Sequence, residues 1–72
     1  MYFSVNVGRY PSASIPKKDV EKLSKHGLHA YVFAVDKEYT LRVGASPKEE
    51  SANELAANLR KLGFDAFVKK YD

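Results

Sequence analysis

The sequence predicts an α+β fold: strand, helix, strand, strand, helix, strand, forming one four-stranded antiparallel sheet with both helices on a single face. Three observations predict it. The 72-residue chain matches itself without a gap at an offset of 36. Nine positions are then identical: Val7/Val43, Gly8/Gly44, Pro11/Pro47, Leu23/Leu59, Lys25/Lys61, Gly27/Gly63, Ala30/Ala66, Val32/Val68 and Asp36/Asp72. Each half also passes from a period of two to a helical period and back, and glycines and prolines fall at the changes. One short unit cannot bury its own apolar face, so the repeats 1–36 and 37–72 are expected to form a single domain over 1–72 with internal pseudo-symmetry.

The elements follow in order. Tyr2 to Val7 alternates, with Phe3, Val5 and Val7 pointing one way and Tyr2, Ser4 and Asn6 the other, which is the pattern of a half-buried strand. Gly8 is expected to end it, and Tyr10 to Ile15 reads as loop. Pro16 suits a first helical position, where its missing N–H would have had no partner. Val20 and Leu23 give the first helix a narrow apolar stripe, and Gly27 fits just past its end. His29 to Val35 is β-branched and aromatic, a second strand, and Asp36-Lys37 a tight hairpin turn. Glu38 to Val43 repeats the first strand, with Tyr39, Leu41 and Val43 inward. Ser46-Pro47-Lys48-Glu49 reads as a capping box with proline at the first helical position. Ala52, Leu55, Ala56, Leu59 and Leu62 follow at helical spacing, Gly63 closes the helix, and Ala66 to Tyr71 is the last strand.

This is the split βαβ, ferredoxin-like order. Right-handed crossovers together with the repeat put strands one and three at the centre and strands two and four at the edges. Each helix has one apolar stripe, so both cover the same face and the other face is left open to solvent.

Composition narrows the function classes. Apolar residues are 44% and charged residues 29% of the chain, as in an ordinary folded domain. A chain of about this length buries only about 60% of its unfolded surface, so the stability margin is thin. There is no cysteine, which excludes disulfides and thiolate metal sites. The net charge of +3 is mild; dedicated nucleic-acid binders concentrate more positive charge on one face. No apolar run is long enough for a signal peptide or a membrane span. Met1 abuts the first strand, which suggests a domain excised from a longer protein with an added start codon.

The open face is the surface of interest. Ala30/Ala66 and Val32/Val68 recur in both halves and suit packing under a helix. Period two then places Tyr31, Phe33, Val35, Phe67, Lys69 and Tyr71 on the open face, with Tyr2, Ser4, Asn6, Thr40 and Arg42 from the central strands. The opposite phase would turn Lys69 into the core. Aromatics thus flank a polar centre, and an exposed apolar cluster rimmed by polar groups marks a binding surface. Exposed aromatics also occur simply because they favour strands and pair across them; their number on this one face favours binding.

At these residues the chain resembles a known family, the SPOR domains. Phe3-Ser4-Val5-Asn6-Val7-Gly8-Arg9-Tyr10 and Tyr39-Thr40-Leu41-Arg42-Val43-Gly44 are similar to that family's two signature strands, roughly aromatic-x-V-Q-V-G-x-F. Leu23 to Leu28 and Leu59 to Phe64 match its helix-end element, L-x-x-x-G-(F/Y). The resemblance covers almost the whole chain, and its weight comes from both motifs recurring in register. It implies a non-catalytic cell-wall module that binds peptidoglycan glycan strands lacking stem peptides, at division septa or during sporulation. Such domains bind across the open sheet face and ride on division proteins or wall hydrolases, so the implied location is the periplasm or cell wall, within a larger exported protein. Asn6 stands in the place of the family's frequent glutamine, Arg9 where serine is common, Thr40 where arginine is common, and Arg42 is the second-half equivalent of Asn6. Tyr10 matches the family's aromatic, whereas Ser46 in the second half does not. Pro16 and Asp19 depart from Ala52 and Leu55.

The expected glycan-binding set is Ser4, Asn6, Arg9, Tyr31, Phe33, Thr40, Arg42, Phe67, Lys69 and Tyr71, with no cofactor and no metal. Aromatic rings would take the C–H faces of aminosugars. Asn6, Ser4 and Thr40 would meet acetamido and hydroxyl groups, and Arg42 would fork onto a lactyl carboxylate. The main alternative is single-stranded RNA binding on the same architecture. RNA-recognition modules stack bases on aromatics of the central strands, whereas here the aromatics favour the edges and the K/R-G-F/Y-G/A-F-V-x-F/Y motif is absent. Catalysis is not expected: His26 and His29 straddle Gly27 rather than sharing a helix face, and Glu49 and Glu50 sit in a first helical turn where they complement the dipole. Glu38 has no partner acid for glycosidic chemistry. Dimerisation through the edges is a third reading, opposed by Lys37, Lys69 and Lys70, which favour a monomer without nucleic-acid or membrane contact.

Overall fold

A computed structural model describes residues 1–72 and runs β1 (Tyr2–Tyr10), α1 (Lys17–Lys25), β2 (Tyr31–Val35), β3 (Glu38–Ser46), α2 (Glu49–Lys61) and β4 (Ala66–Tyr71). The sheet order is β2-β3-β1-β4 and every pair is antiparallel, so the expected α+β architecture and the central placement of strands one and three hold. Phe3, Val5 and Val7 of β1, Leu41 of β3 and Ala66 of β4 form the sheet side of the core. Leu23 from α1 and Ala52, Ala56 and Leu59 from α2 form the helix side. Alanines one turn apart let α2 lie close on the strands.

The repeat is explained first at the helix ends. In α1 the Gly27 N–H donates to the Ser24 carbonyl and the Leu28 N–H to the Leu23 carbonyl. In α2 the Gly63 N–H donates to Arg60 and the Phe64 N–H to Leu59. Both are Schellman caps, in which the residue past the helix needs a left-handed φ. Gly27 has φ +76 and Gly63 φ +94. Leu23/Leu59, Gly27/Gly63 and Leu28/Phe64 recur because the cap uses all three.

The strands continue past the glycines that were expected to end them. Val7 pairs with Leu41 and Tyr10 with Tyr39, so Gly8 and Arg9 together face Thr40 in a bulge. Gly8 has φ +75, as the first residue of a glycine bulge requires. On β3, Val43 is the extra residue between Gly44, opposite Val5, and Arg42, opposite Asn6. Each glycine is covered by a side chain, but differently in the two halves. A Cβ on Gly44 would meet Leu55 Cδ2 at 3.2 Å. A Cβ on Gly8 would meet the Tyr10 hydroxyl and ring at 2.7–2.9 Å. The Tyr10 hydroxyl in turn donates to Asp19 Oδ2 at 2.9 Å. Positions 10/46 and 19/55 are repeat equivalents, so the Tyr10–Asp19 pair does in the first half what Leu55 does alone in the second. Burial and the Asp19 bond push the Tyr10 hydroxyl pKa up to about 12.

Several sequence expectations are corrected. Pro16 is the N-cap residue and α1 begins at Lys17. The capping box is not made: Ser46 ends β3, its hydroxyl accepts from the Lys48 N–H at 3.1 Å, and Lys48 is the N-cap. The extension of β3 through its bulge uses the serine as a strand end before it can serve as a cap. Val32 does not lie under a helix and is 48% exposed. α2 covers β1, β4 and β3, and the apolar stripe of the nine-residue α1 is too narrow to cover the β2 edge as well. Leu62 caps α2 and is likewise exposed.

Candidate functional site

The ten residues expected on the sheet face are held there by the register. Asn6 lies between Arg42 of β3 and Phe67 of β4, Ser4 beside Lys69, Tyr31 beside Arg42, and Phe33 beside Thr40. Tyr2 pairs with Tyr71, and their rings stack at 5.0 Å with 12° between planes. Arg9, in the bulge, places its guanidinium 4.5 Å from the centre of the Phe67 ring.

The polar centre of the face is closed to solvent, which corrects the expectation, while Tyr2, Tyr31 and Phe33 around it stay exposed. Ser4 and Asn6 are 0% and Thr40 1% exposed. The cause is twist together with bending. Asp36 in the β2–β3 turn and Lys69 on β4 occupy diagonal corners, roughly 25 Å apart on a flat sheet at ~3.3 Å per residue and ~4.8 Å per strand. Their side chains nonetheless meet, Lys69 Nζ to Asp36 Oδ2, at 3.7 Å. A right-handed twist of roughly 20–25° per strand raises one diagonal pair of corners but shortens their separation only slightly, so the sheet also bends, and the two bulges are where strands bend. The sheet is thus a saddle whose corners meet over its centre. Arg42 fills the space between them: its guanidinium carbon is 3.7 Å from the Phe33 ring centre, 5.1 Å from Tyr71 and 5.8 Å from Tyr2. Rings from β2, β1 and β4 thereby share one cation and roof the polar centre.

Beneath the roof the polar groups are mostly committed. The Thr40 hydroxyl donates to the Gly8 carbonyl at 2.8 Å, with the Val7 carbonyl at 3.2 Å. It satisfies the bulge. Ser4 Oγ donates to the Lys69 carbonyl at 3.4 Å and accepts from Asn6 Nδ2 at 3.0 Å. Two buried atoms have no partner, Asn6 Oδ1 and Arg42 Nε. They belong to residues that face one another in the register. Each such orphan costs about 1–3 kcal/mol. The roof above them is held by terms of similar size: an exposed pair such as Asp36–Lys69 contributes about 0.2–1 kcal/mol, and each cation–π contact about 0.5–2 kcal/mol.

Ser4 and Thr40 therefore have structural duties, and among the buried side-chain atoms only Asn6 Oδ1 and Arg42 Nε keep spare hydrogen-bonding capacity. Arg42 is not a free fork, because its guanidinium is stacked. The candidate set omits two roof members, Tyr2 and Asp36. Tyr2 was legible from its period-two phase. Asp36 was not, because it reaches the face only through the twist and bend of the sheet.

The chain's one cleft, about 410 Å³, lies on the other side of the sheet, between α1 and the α2–β4 turn. Tyr10, Asp19, Lys22, Lys25, His26 and Asp65 line it, and it shares no residue with the sheet-face set. An enclosed cleft is the default site for a small ligand, but a polymer strand rests along a face. No group of three His, Cys, Asp or Glu side chains is placed to hold a metal ion, and no helix is long and apolar enough to cross a membrane.

No curated protein matches the sequence significantly. Among solved structures, the chain is similar to the solution structure of the peptidoglycan binding domain of the B. subtilis cell wall lytic enzyme CwlC. That likeness has a TM-score of 0.69 and 25% sequence identity, and it covers 99% of this chain and 90% of that one. The model of the SPOR domain matches residues 2–70. That span holds both signature strands, both Schellman-capped helix ends and the edge strand that completes the sheet, and the chain accordingly belongs to the SPOR domain family.

Proposed function

We propose that residues 1–72 are one non-catalytic module that binds bacterial peptidoglycan through the roofed sheet face, and that its ligand is the glycan strand stripped of stem peptides. Peptidoglycan binding is supported by membership of the SPOR family and by the likeness to the peptidoglycan binding domain of CwlC. The observation that carries the choice of surface is the convergence of Tyr2, Phe33, Tyr71 and Arg42 above Asn6, on the face that no helix covers. Rings offer apolar faces to aminosugars, and the amide and guanidinium below supply directional bonds. A shallow face gives modest affinity, so avidity from a wall-associated parent protein completes the retention. The module works outside the cytoplasm, at septal or sporulation-associated wall, as part of an exported protein.

The test is retention on purified sacculi before and after amidase removal of stem peptides. Retention should rise on the amidase-treated wall. Equal retention on both removes the stripped-strand specificity, and none on either removes the reading. Asn6→Ala, Arg42→Ala and Phe33→Ala should each weaken retention while leaving the far-UV circular dichroism unchanged. Binding should survive added salt; a steep loss with salt would instead indicate a phosphate backbone.

A further inference from the structure

We infer that Asn6 Oδ1 and Arg42 Nε together read an acetamido group, and that the Arg42 guanidinium is the removable cover of that site. The inference deepens the glycan reading and rests on it. The two atoms are one acceptor and one donor, both buried and both without partners, on residues that face each other across β1 and β3. The polar side chains nearest in the register are already used, Ser4 on Lys69 and Asn6 Nδ2, and Thr40 on Gly8. The complement of this pair is therefore one donor and one acceptor, which a hydroxyl offers on a single atom and an amide on two atoms set apart, as the two orphans are. A secondary amide supplies both. A carboxylate supplies acceptors only and leaves Asn6 Oδ1 unpartnered; an ammonium supplies donors only and is repelled by Arg42.

The site is closed in the free protein: Asn6 is 0% exposed, and the guanidinium of Arg42, which faces it in the register, lies on Phe33 at 3.7 Å. The apolar face of a sugar ring can take that place on Phe33. The displaced guanidinium then turns Nε toward the acetamido oxygen, while the acetamido N–H meets Asn6 Oδ1. The exchange is favoured because it gives both orphans the partners they lack.

The experiment uses the whole chain and three walls: amidase-treated sacculi, the same sacculi after chemical de-N-acetylation, and a portion then re-N-acetylated. Retention should fall about tenfold or more on the de-N-acetylated wall and return on re-acetylation, at both low and high salt. Asn6→Ala should bind all three walls alike, at the level the wild type shows on the de-N-acetylated one. In solution, the Arg42 Nε–H resonance should shift on adding an N-acetylglucosamine oligomer and stay fixed on adding the matching glucosamine or glucose oligomer. Strong retention on all three walls overturns the acetamido assignment and leaves the glycan reading standing. A preference that vanishes at high salt, or persists in Asn6→Ala, also overturns it. Absence of retention on the starting sacculi removes both.

Discussion

Gly8→Ala tests the packing that distinguishes the two halves. Gly8 has φ +75, and the left-handed region costs a residue with a Cβ about 1–2 kcal/mol. The new Cβ would also lie 2.7 Å from the Tyr10 hydroxyl oxygen and 2.8–2.9 Å from two carbons of its ring, far inside contact distance. The ring must move, and its hydroxyl then leaves Asp19. That bond is partly exposed, so its loss adds about 1–2 kcal/mol, for a total of about 2–4 kcal/mol. A chain of this size holds about 4–11 kcal/mol in all, so the effect is large. Gly44→Ala is the internal control at the repeat-equivalent position. It has no left-handed φ, and its Cβ would meet only the flexible end of Leu55, at 3.2 Å. Its cost should stay below about 1 kcal/mol. Urea unfolding followed by far-UV circular dichroism measures both. In a Tyr10→Ala background, Gly8→Ala should cost only the φ component, a coupling of about 1–2 kcal/mol between the two sites. Equal costs for the two glycine variants, or no coupling, would refute the reasoning.

Other outcomes follow from the same structure. The Tyr10 pKa is raised from 10 to about 12, so the neutral hydroxyl is favoured by folding. That stabilisation is fully present below pH 10 and is lost as pH rises through 12. Because Tyr10 is partly exposed, the loss should be about 1 kcal/mol, and Tyr10→Phe should flatten the pH dependence of the urea midpoint. Gly27→Ala and Gly63→Ala meet no atom within 4 Å of the new Cβ. Each should therefore cost only the left-handed strain, about 1 kcal/mol, with a similar loss at both cap positions. Asp36→Asn removes the clasp to Lys69 and should change stability by less than about 0.5 kcal/mol. It should strengthen retention on sacculi up to about twofold, because the open face becomes more populated; weaker retention would show that Asp36 does not hold the roof shut.

The sequence alone determined the scaffold. Strand phase, helix stripes and Schellman glycines are local properties, each written in spacing of a few residues, and the 36-residue offset repeated each of them and so fixed the order of the sheet. It also placed Asn6, Phe33, Arg42, Phe67 and Tyr71 on one face, because alternation along a strand survives tertiary context. The tertiary structure decided whether that face was open. Twist accumulates over four strands and the bulges bend them, so diagonal corners meet in a way no local pattern records. That curvature brought Asp36 to Lys69, trapped the Arg42 guanidinium among three rings, and turned an exposed polar stripe into a buried one. The bulges likewise committed Thr40 to the Gly8 carbonyl and drew Ser46 out of its cap. Which polar atoms remained without partners, Asn6 Oδ1 and Arg42 Nε, depended on three-dimensional hydrogen-bond accounting. Residue type names a donor or an acceptor, but only the fold determines whether it is already satisfied.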